Sequence, residues 1–292
     1  MSPDQHPVTF HSNPTLDRPI LIAAFRGWND AGDSATFAAE HLGRAWSAQR
    51  LASIDPEEFY DFQAVRPHVE LVEGLTRKIT WPSNVFSAAP SSQGRDAIIL
   101  IGTEPNLRWK TFAGLVVELA QKYEVSLVVT LGALLADVPH SRPIQVTGTA
   151  MDPALVEELG LHQSRYEGPT GIVGILHDAL AASEMRSASL WAAVPHYLAV
   201  TPNPKAALAL INKTVPLVGI AADVSDLERA TTTYEERVAE MVASDEDVQA
   251  YVRFLEERAD ERAEDVDKLP SGEALAAELE SFLRQHDGED QV

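Results

Sequence analysis

The sequence contains no cysteine, which excludes disulfide bonds, thiolate metal ligands and a cysteine nucleophile. It also lacks an apolar run near the ~20 residues that a membrane-spanning helix requires, so we expect no membrane partner. Its nine histidines do not occur in HExxH or HxH spacing, so we expect no metal site. The first 19 residues have neither a basic start nor an apolar core, so we expect no secretory signal and a cytoplasmic protein.

Positive charge is scarce in this chain. Its 292 residues include 23 Lys and Arg against 44 Asp and Glu, a formal net charge of -21. Residues 223–292 hold 22 of the acidic and 7 of the basic side chains. Such a surface repels phosphates, so nucleic acid is not an expected partner. The acidic segment fits either a solvated helical face that aids solubility or a docking surface for a basic partner.

The common motifs for phosphate binding and for a serine nucleophile are absent as well. The chain has no GxGxxG, no GxxxxGKS/T and no GxSxG. We therefore expect no nucleotide cofactor and no serine hydrolase of the nucleophile-elbow type.

What the sequence does contain is a set of four apolar runs of strand length without polar alternation. Strands of this kind are buried on both faces, as in a parallel sheet that helices cover on each side. Helical patterns follow the runs, with predicted helices at 34–46, 110–123 and 172–182 and another that starts after Asn203. These alternating elements predict an α/β fold, a three-layer αβα sandwich with a mainly parallel sheet, and residues 76–81 predict an edge hairpin. The four runs are residues 20–25, 96–101, 126–131 and 189–194.

No strand pattern follows residue 220. Apolar residues recur there at helical spacing, and Ser244 with Asp247 resembles a capping box that starts a second helix through Arg258. After a Pro-Gly break, residues 273–283 predict a last amphipathic helix. We therefore predict a core domain, residues 1–220, and an acidic helical extension, residues 221–292, packed on that core.

The loops after the predicted strands are the candidate sites, because open α/β sheets bind ligands at the carboxyl ends of their strands. The first loop is rich in glycine, but Asp30 and Asp33 place negative charge at the helix start, where a phosphate would be repelled. A capped turn with a packed Trp28 is the expected structure. The candidate ligand-binding or interface residues in these loops are Arg26, Gly27, Trp28, Asn29, Asp30, Gly102, Thr103, Glu104, Pro139, His140, His196 and Tyr197.

Catalysis by Glu104, His196 and Arg26 is the alternative. If the strands before Glu104 and His196 are neighbours, a carboxylate and an imidazole meet in one cleft, with Arg26 or Arg108 beside them, and this suits hydrolysis or phosphorolysis. A separation above ~10 Å would exclude direct proton transfer between the two. In the competing interpretation, Glu104 pairs with Arg108 and His196 is a turn residue.

Taken together, six segments resemble the proteasome assembly chaperone 2 family in its longer prokaryotic form. The resemblance covers roughly residues 18–220, and the order and spacing of the set are specific. The segments are FRGWNDAG at 25–32, FYDF at 59–62 with RP at 66–67, GTEP at 102–105, GALL at 132–135 with DVPH at 137–140, GPTGI at 168–172 and VPHY at 194–197.

This resemblance implies a fold similar to nucleoside phosphorylases and peptidyl-tRNA hydrolases. It also implies a homo-oligomer, for which we expect a trimer, and a protein that binds proteasome subunits without catalysis. Some relatives dock through a carboxyl-terminal hydrophobic-tyrosine-any tripeptide, but this sequence ends Asp290-Gln291-Val292, so we do not expect that route. Relatives of this length are also described as ATP-grasp-like ligases, a function for which the sequence offers no lysine-rich pocket or metal-binding carboxylate series.

Overall fold

The structure is a computed structural model and describes residues 6–72, 76–91, 95–163, 167–198 and 200–267. The strands are β1 (Val8–Phe10), β2 (Ile20–Arg26), β3 (Gln49–Ile54), β4 (His68–Val72), β5 (Thr76–Thr80), β6 (Asn84–Ala89), β7 (Ala97–Thr103), β8 (Leu127–Ala136), β9 (Val146–Ala150), β10 (His162–Gln163) and β11 (Ser187–Pro195). The helices are α1 (Ser34–Ala45), α2 (Trp109–Lys122), α3 (Pro153–Leu159), α4 (Ile172–Ala182), α5 (Pro204–Val218), α6 (Ser225–Ala243) and α7 (Glu246–Asp267).

Nine of these strands form one sheet in the order β1-β3-β6-β7-β2-β8-β11-β9-β10. The four central strands, β7, β2, β8 and β11, are parallel, and antiparallel pairings flank them on both sides. These four are the strands that the unbroken apolar runs predict. Their carboxyl ends lie at one edge of the sheet, which places the loops after them side by side in the same order.

Helices cover both faces of the sheet. Alternate residues of β2 separate the two cores: Leu21, Ala23 and Phe25 pack with α2 and α4, while Ile20, Ile22 and Ala24 pack with α1 and α5. On the first face, the ring of Phe112 in α2 makes edge contacts with Phe25 and Phe59. The predicted three-layer αβα sandwich is confirmed.

Two strand predictions need correction. β8 continues to Ala136 instead of ending at residue 131, because β11 pairs with it as far as Pro195 and supplies hydrogen-bond partners beyond Gly132. The hairpin predicted near residues 76–81 exists as β4 and β5, but it forms a separate two-stranded sheet instead of an edge of the main one.

The carboxyl-terminal helices follow the predicted pattern with different bounds. α6 packs on α5 and adds Leu227 to the core, and α7 packs against α6. The start of α7 is capped by Asp245, whose carboxylate accepts from the amides of Asp247 (3.0 Å) and Val248 (3.2 Å), so Ser244 is not the cap. The helix predicted at 273–283 lies outside the described residues.

Candidate functional site: the carboxyl edge of the sheet

The loop after β2 is held by Asp30. Its carboxylate, 5% exposed, accepts from the amide of Ala35 at 2.6 Å and from the amide and hydroxyl of Thr36. Burial raises the pKa of Asp30 above its ordinary value, although these hydrogen bonds act in the opposite direction. Asp30 therefore caps the first turn of α1, and its burial leaves its carboxylate little access to a ligand in solvent.

Glu104 has a similar structural role at the end of β7. Its Oε1 accepts from the backbone amide of Ile172, the first residue of α4, at 2.8 Å, and from Nδ2 of Asn29 at 3.2 Å. A carboxylate at a helix amino terminus satisfies a free amide and interacts favourably with the helix dipole. The space is tight, because a Cβ on Gly171 would stand 2.6 Å from Oε1. Glu104 thus links three segments that are distant in sequence.

The structure does not bring Glu104 and His196 together. They follow β7 and β11, and β2 and β8 lie between those strands. Three strand spacings correspond to ~14 Å between the strand axes, which is beyond direct proton transfer. The condition for catalysis by this pair is therefore not met.

The arginines proposed to join the pair are also engaged elsewhere. Arg26 forms an ion pair with Glu40 of α1. Arg108 pairs with Glu58, which corrects the expectation that it pairs with Glu104. Both pairs are half-exposed, so we assign them little stabilising energy.

His196 belongs to a cluster of rings at the other end of this edge. Its Nδ1 lies 3.3 Å from the carboxylate of Asp137, and its ring makes edge contacts with Tyr197 and with Tyr251 of α7. The hydroxyl of Tyr197 accepts from the amide of His140 at 2.8 Å and also contacts the ring of His140. Burial and the nearby Lys205 lower the pKa of His140. These rings connect the core to the carboxyl-terminal helices.

Charged side chains fix α7 to the same region. Arg142, which follows β8, donates to both carboxylate oxygens of Asp260 at 2.8 and 2.6 Å, and it lies 3.5 Å from Glu256. Lys205 donates to the carbonyl of His140 at 2.7 Å and pairs with Glu235 of α6. Part of the acidic character of these helices is therefore used to bind the core.

Between these two ends lies an exposed apolar surface. Trp28, after β2, is 59% exposed, which corrects the expectation that it is packed. Leu134 and Leu135, near the end of β8, are 43% and 61% exposed. Because successive strand residues face opposite sides of a sheet, this end of β8 is open to solvent on both sides. They lie close to the Trp28 loop, because Ala133 donates to the carbonyl of Asn29 at 2.8 Å. We call these three exposed side chains around the carboxyl ends of β2 and β8, Trp28, Leu134 and Leu135, the carboxyl-edge patch, in which the two leucines point to opposite sides of the sheet.

Beside the ring cluster the surface is concave, and Arg142 and Lys205 are among the residues that line it. An open groove of about 710 Å³ lies between the 141–146 connector, α5 and α6. Within the described ranges, no three His, Asp or Glu side chains are placed to hold a metal ion. None of the helices described there is long and apolar enough to cross a bilayer.

A cluster of polar side chains around His177 holds α4 to the sheet. Nε2 of His177 lies 2.8 Å from the Thr130 hydroxyl, which lies 2.9 Å from the Ser189 hydroxyl, and Nδ1 lies 2.8 Å from the Ser187 hydroxyl. Burial lowers the pKa of His177 to about 4. The neutral ring is therefore the form that the folded protein favours.

Because His177 is neutral when the protein is folded, we predict that its contribution to stability is lost in acid. The pKa of His177 is 6.5 in the unfolded state and about 4 in the folded state. As the pH falls, the unfolded state therefore binds the proton before the folded state does, which favours unfolding. Its contribution is complete above pH 6.5 and decreases as the pH falls towards 4, by up to about 3 kcal/mol. Urea unfolding at pH 7, 5.5 and 4.5 should show a steeper loss for the wild type than for His177→Gln. Equal losses would contradict this role of His177.

Three residues that shape this edge were not among the candidates from the sequence: Tyr251 belongs to the ring cluster, and Leu134 and Leu135 are exposed at a strand end. Asn29 was a candidate, but its role as a partner of Glu104 was not predicted. The signal for the leucines was available in principle, since they belong to the GALL segment that carries the family resemblance. Their exposure could not be inferred, because it depends on where the neighbouring strands end.

The comparisons with known proteins agree with this fold. The PAC2 family model matches residues 24–242. A solved PAC2 family protein from Streptomyces avermitilis is 43% identical, with a TM-score of 0.74, and the match covers 80% of this chain and 99% of that one. A proteasome-assembly chaperone homologue from Mycobacterium tuberculosis is 40% identical, with a TM-score of 0.73 and the same coverage.

A further Mycobacterium tuberculosis protein, of unknown function, is 26% identical, with a TM-score of 0.81 over 90% of this chain and 94% of its own. No curated protein matches the chain. The family model spans most of the sequence and includes all six segments in full. The chain therefore belongs to the PAC2 family.

Proposed function

We propose that this protein acts by protein–protein interaction, as a proteasome-assembly-chaperone-like protein that binds a proteasome subunit through its carboxyl-edge patch. The relative from Mycobacterium tuberculosis described as a proteasome-assembly chaperone homologue supports the choice of partner. In this mechanism no bond is made or broken. The protein covers an apolar surface of an incompletely assembled subunit until that subunit binds its neighbours.

The observation that carries this proposal is the composition of the carboxyl edge. In an α/β enzyme this edge holds a concave site with convergent polar groups. Here the carboxylates of Asp30 and Glu104 are occupied by backbone amides, and Trp28 and Leu135 face solvent. Large aromatic and aliphatic side chains that are exposed together mark protein-binding surfaces.

We further propose that the protein works as a homo-oligomer in the cytoplasm, and a trimer remains our expected number. The division into a core, residues 1–220, and an acidic extension, residues 221–292, also stays a prediction. The contacts of Arg142 with Asp260 and of Tyr197 with Tyr251 support an extension that is packed on the core.

The test is co-purification of proteasome subunits from native lysate. We expect tagged wild-type protein to retain them and the Trp28→Ser/Leu135→Ser variant to retain at least tenfold less, because both substitutions remove exposed apolar area without touching the core. Unfolding temperature should stay near that of the wild type.

The matched control replaces two exposed methionines elsewhere, Met151→Ser/Met241→Ser. It should retain proteasome subunits like the wild type. The proposal is contradicted if the wild type retains none, or if the carboxyl-edge variant retains as much as the control.

A further inference from the structure

The hairpin of β4 and β5 is the most unusual surface among the described residues. It pairs with no strand of the main sheet, and every residue of both strands is exposed. An isolated two-stranded hairpin is marginal in water and gains stability when one face is covered. Near its base, the ring of Trp81 packs on Phe62 with 4.7 Å between centroids, which attaches the hairpin to the core.

The register divides the hairpin into two unlike faces. Val69 pairs with Ile79 and Leu71 pairs with Arg77, so these side chains share a face, and Trp81 follows two residues after Ile79. The four apolar residues of this face are 46–67% exposed. The opposite face carries the pairs His68–Thr80, Glu70–Lys78 and Val72–Thr76. Such alternation is typical of a ribbon with one covered side, and we call the apolar side the hairpin face.

We infer that the hairpin face is covered by a second copy of this chain. This inference rests on the self-association in the proposed function and names the surface that mediates it. A hairpin that depends on cover needs it whenever the protein is folded, and another copy is present at all times, whereas a chaperone's client is bound only temporarily.

Charge supports the same occupant. Two copies with a net charge of -21 each repel one another over most of their surfaces. Residues 66–81 carry three Lys and Arg against two Asp and Glu, so the hairpin is a place where copies approach with little repulsion. Arg77, at the edge of the hairpin face, is placed to meet an acidic neighbour.

The hairpin face alone is smaller than a complete stable interface, which buries at least ~1,000 Å² in total. We therefore assign to it the centre of the contact, where a few apolar side chains carry most of the affinity.

Sedimentation of purified protein tests the inference without any proteasome component. We expect wild-type protein to be oligomeric at about 10 µM. The Leu71→Lys/Ile79→Lys variant should have a dissociation constant at least 100-fold higher. Thr76→Lys/Thr80→Lys adds the same charge to the opposite face and should sediment like the wild type. A monomeric wild type, an unchanged hairpin-face variant, or equal effects of both variants would overturn the inference.

The absence of cysteine allows a second measurement. Ile79→Cys and Thr80→Cys each introduce a single thiol on opposite faces of the same strand. The maleimide labelling rate of Ile79→Cys should fall as protein concentration rises, while that of Thr80→Cys stays constant. Equal rates at all concentrations would overturn the inference, even if co-purification shows that the carboxyl-edge patch binds proteasome subunits.

Discussion

Replacing Gly102 by alanine should lower the free energy of unfolding by about 3 kcal/mol or more. A Cβ at this position would stand 1.6 Å from Oδ1 of Asn84 and 3.0 Å from its Cα. Asn84 is buried on the neighbouring strand β6 and donates to the hydroxyl of Tyr60, which donates to the carbonyl of Thr103 at 2.6 Å. The methyl group would expel the amide and break this chain of hydrogen bonds.

The same substitution at Gly114 is the matched control. Gly114 lies in α2, and beyond its chain neighbours and the backbone of its own helix no atom lies within 4 Å of the position that its Cβ would occupy, so alanine should stabilise the helix by about 0.5–1 kcal/mol. If steric crowding by Asn84 is the cause, urea unfolding should show a lower free energy of unfolding for Gly102→Ala and a higher one for Gly114→Ala. A loss below about 1 kcal/mol for Gly102→Ala would show that Asn84 rearranges freely.

The second large effect is expected for Glu104→Ala, which should lower the free energy of unfolding by about 2 kcal/mol. The substitution leaves the amide of Ile172 at the start of α4 and the side-chain amide of Asn29 without their acceptor. Because Asn29 belongs to the loop that presents Trp28, we also expect weaker retention of proteasome subunits.

Glu104→Gln separates the structural role from a role of the charge. Glutamine keeps a carbonyl oxygen for the amide of Ile172, so the loss should be under about 1 kcal/mol and subunit retention should be nearly normal. The outcome against this account is normal stability with lost retention, since the carboxylate would then act in function and not in holding α4.

The central sheet was predictable from the sequence because its signal is local. Four unbroken apolar runs can be buried only between two helical layers, and the structure makes them the four adjacent parallel strands β7, β2, β8 and β11. The edge strands were harder to predict, because β1 and β9 are short and pair with strands about 40 residues away, and β10 has only two residues.

The candidate site was harder to predict, because its residues acquire their roles from strand order. Placing Glu104 and His196 at strand ends was possible, but the two intervening strands could not be inferred. Glu104 finds its partner 68 residues away in α4. An apolar residue such as Trp28 suggests burial from its chemistry, while its exposure depends on how the elements around the loop are arranged.

The most direct test of the central claim is hydrogen exchange with purified proteasome subunits from the same organism. With subunits in excess, amides of residues 27–33 and 133–137 should exchange more slowly, while those of α3 stay unchanged. This result would locate the bound protein on the carboxyl-edge patch. Protection confined to other surfaces, or none at saturating subunit concentration, would contradict the account.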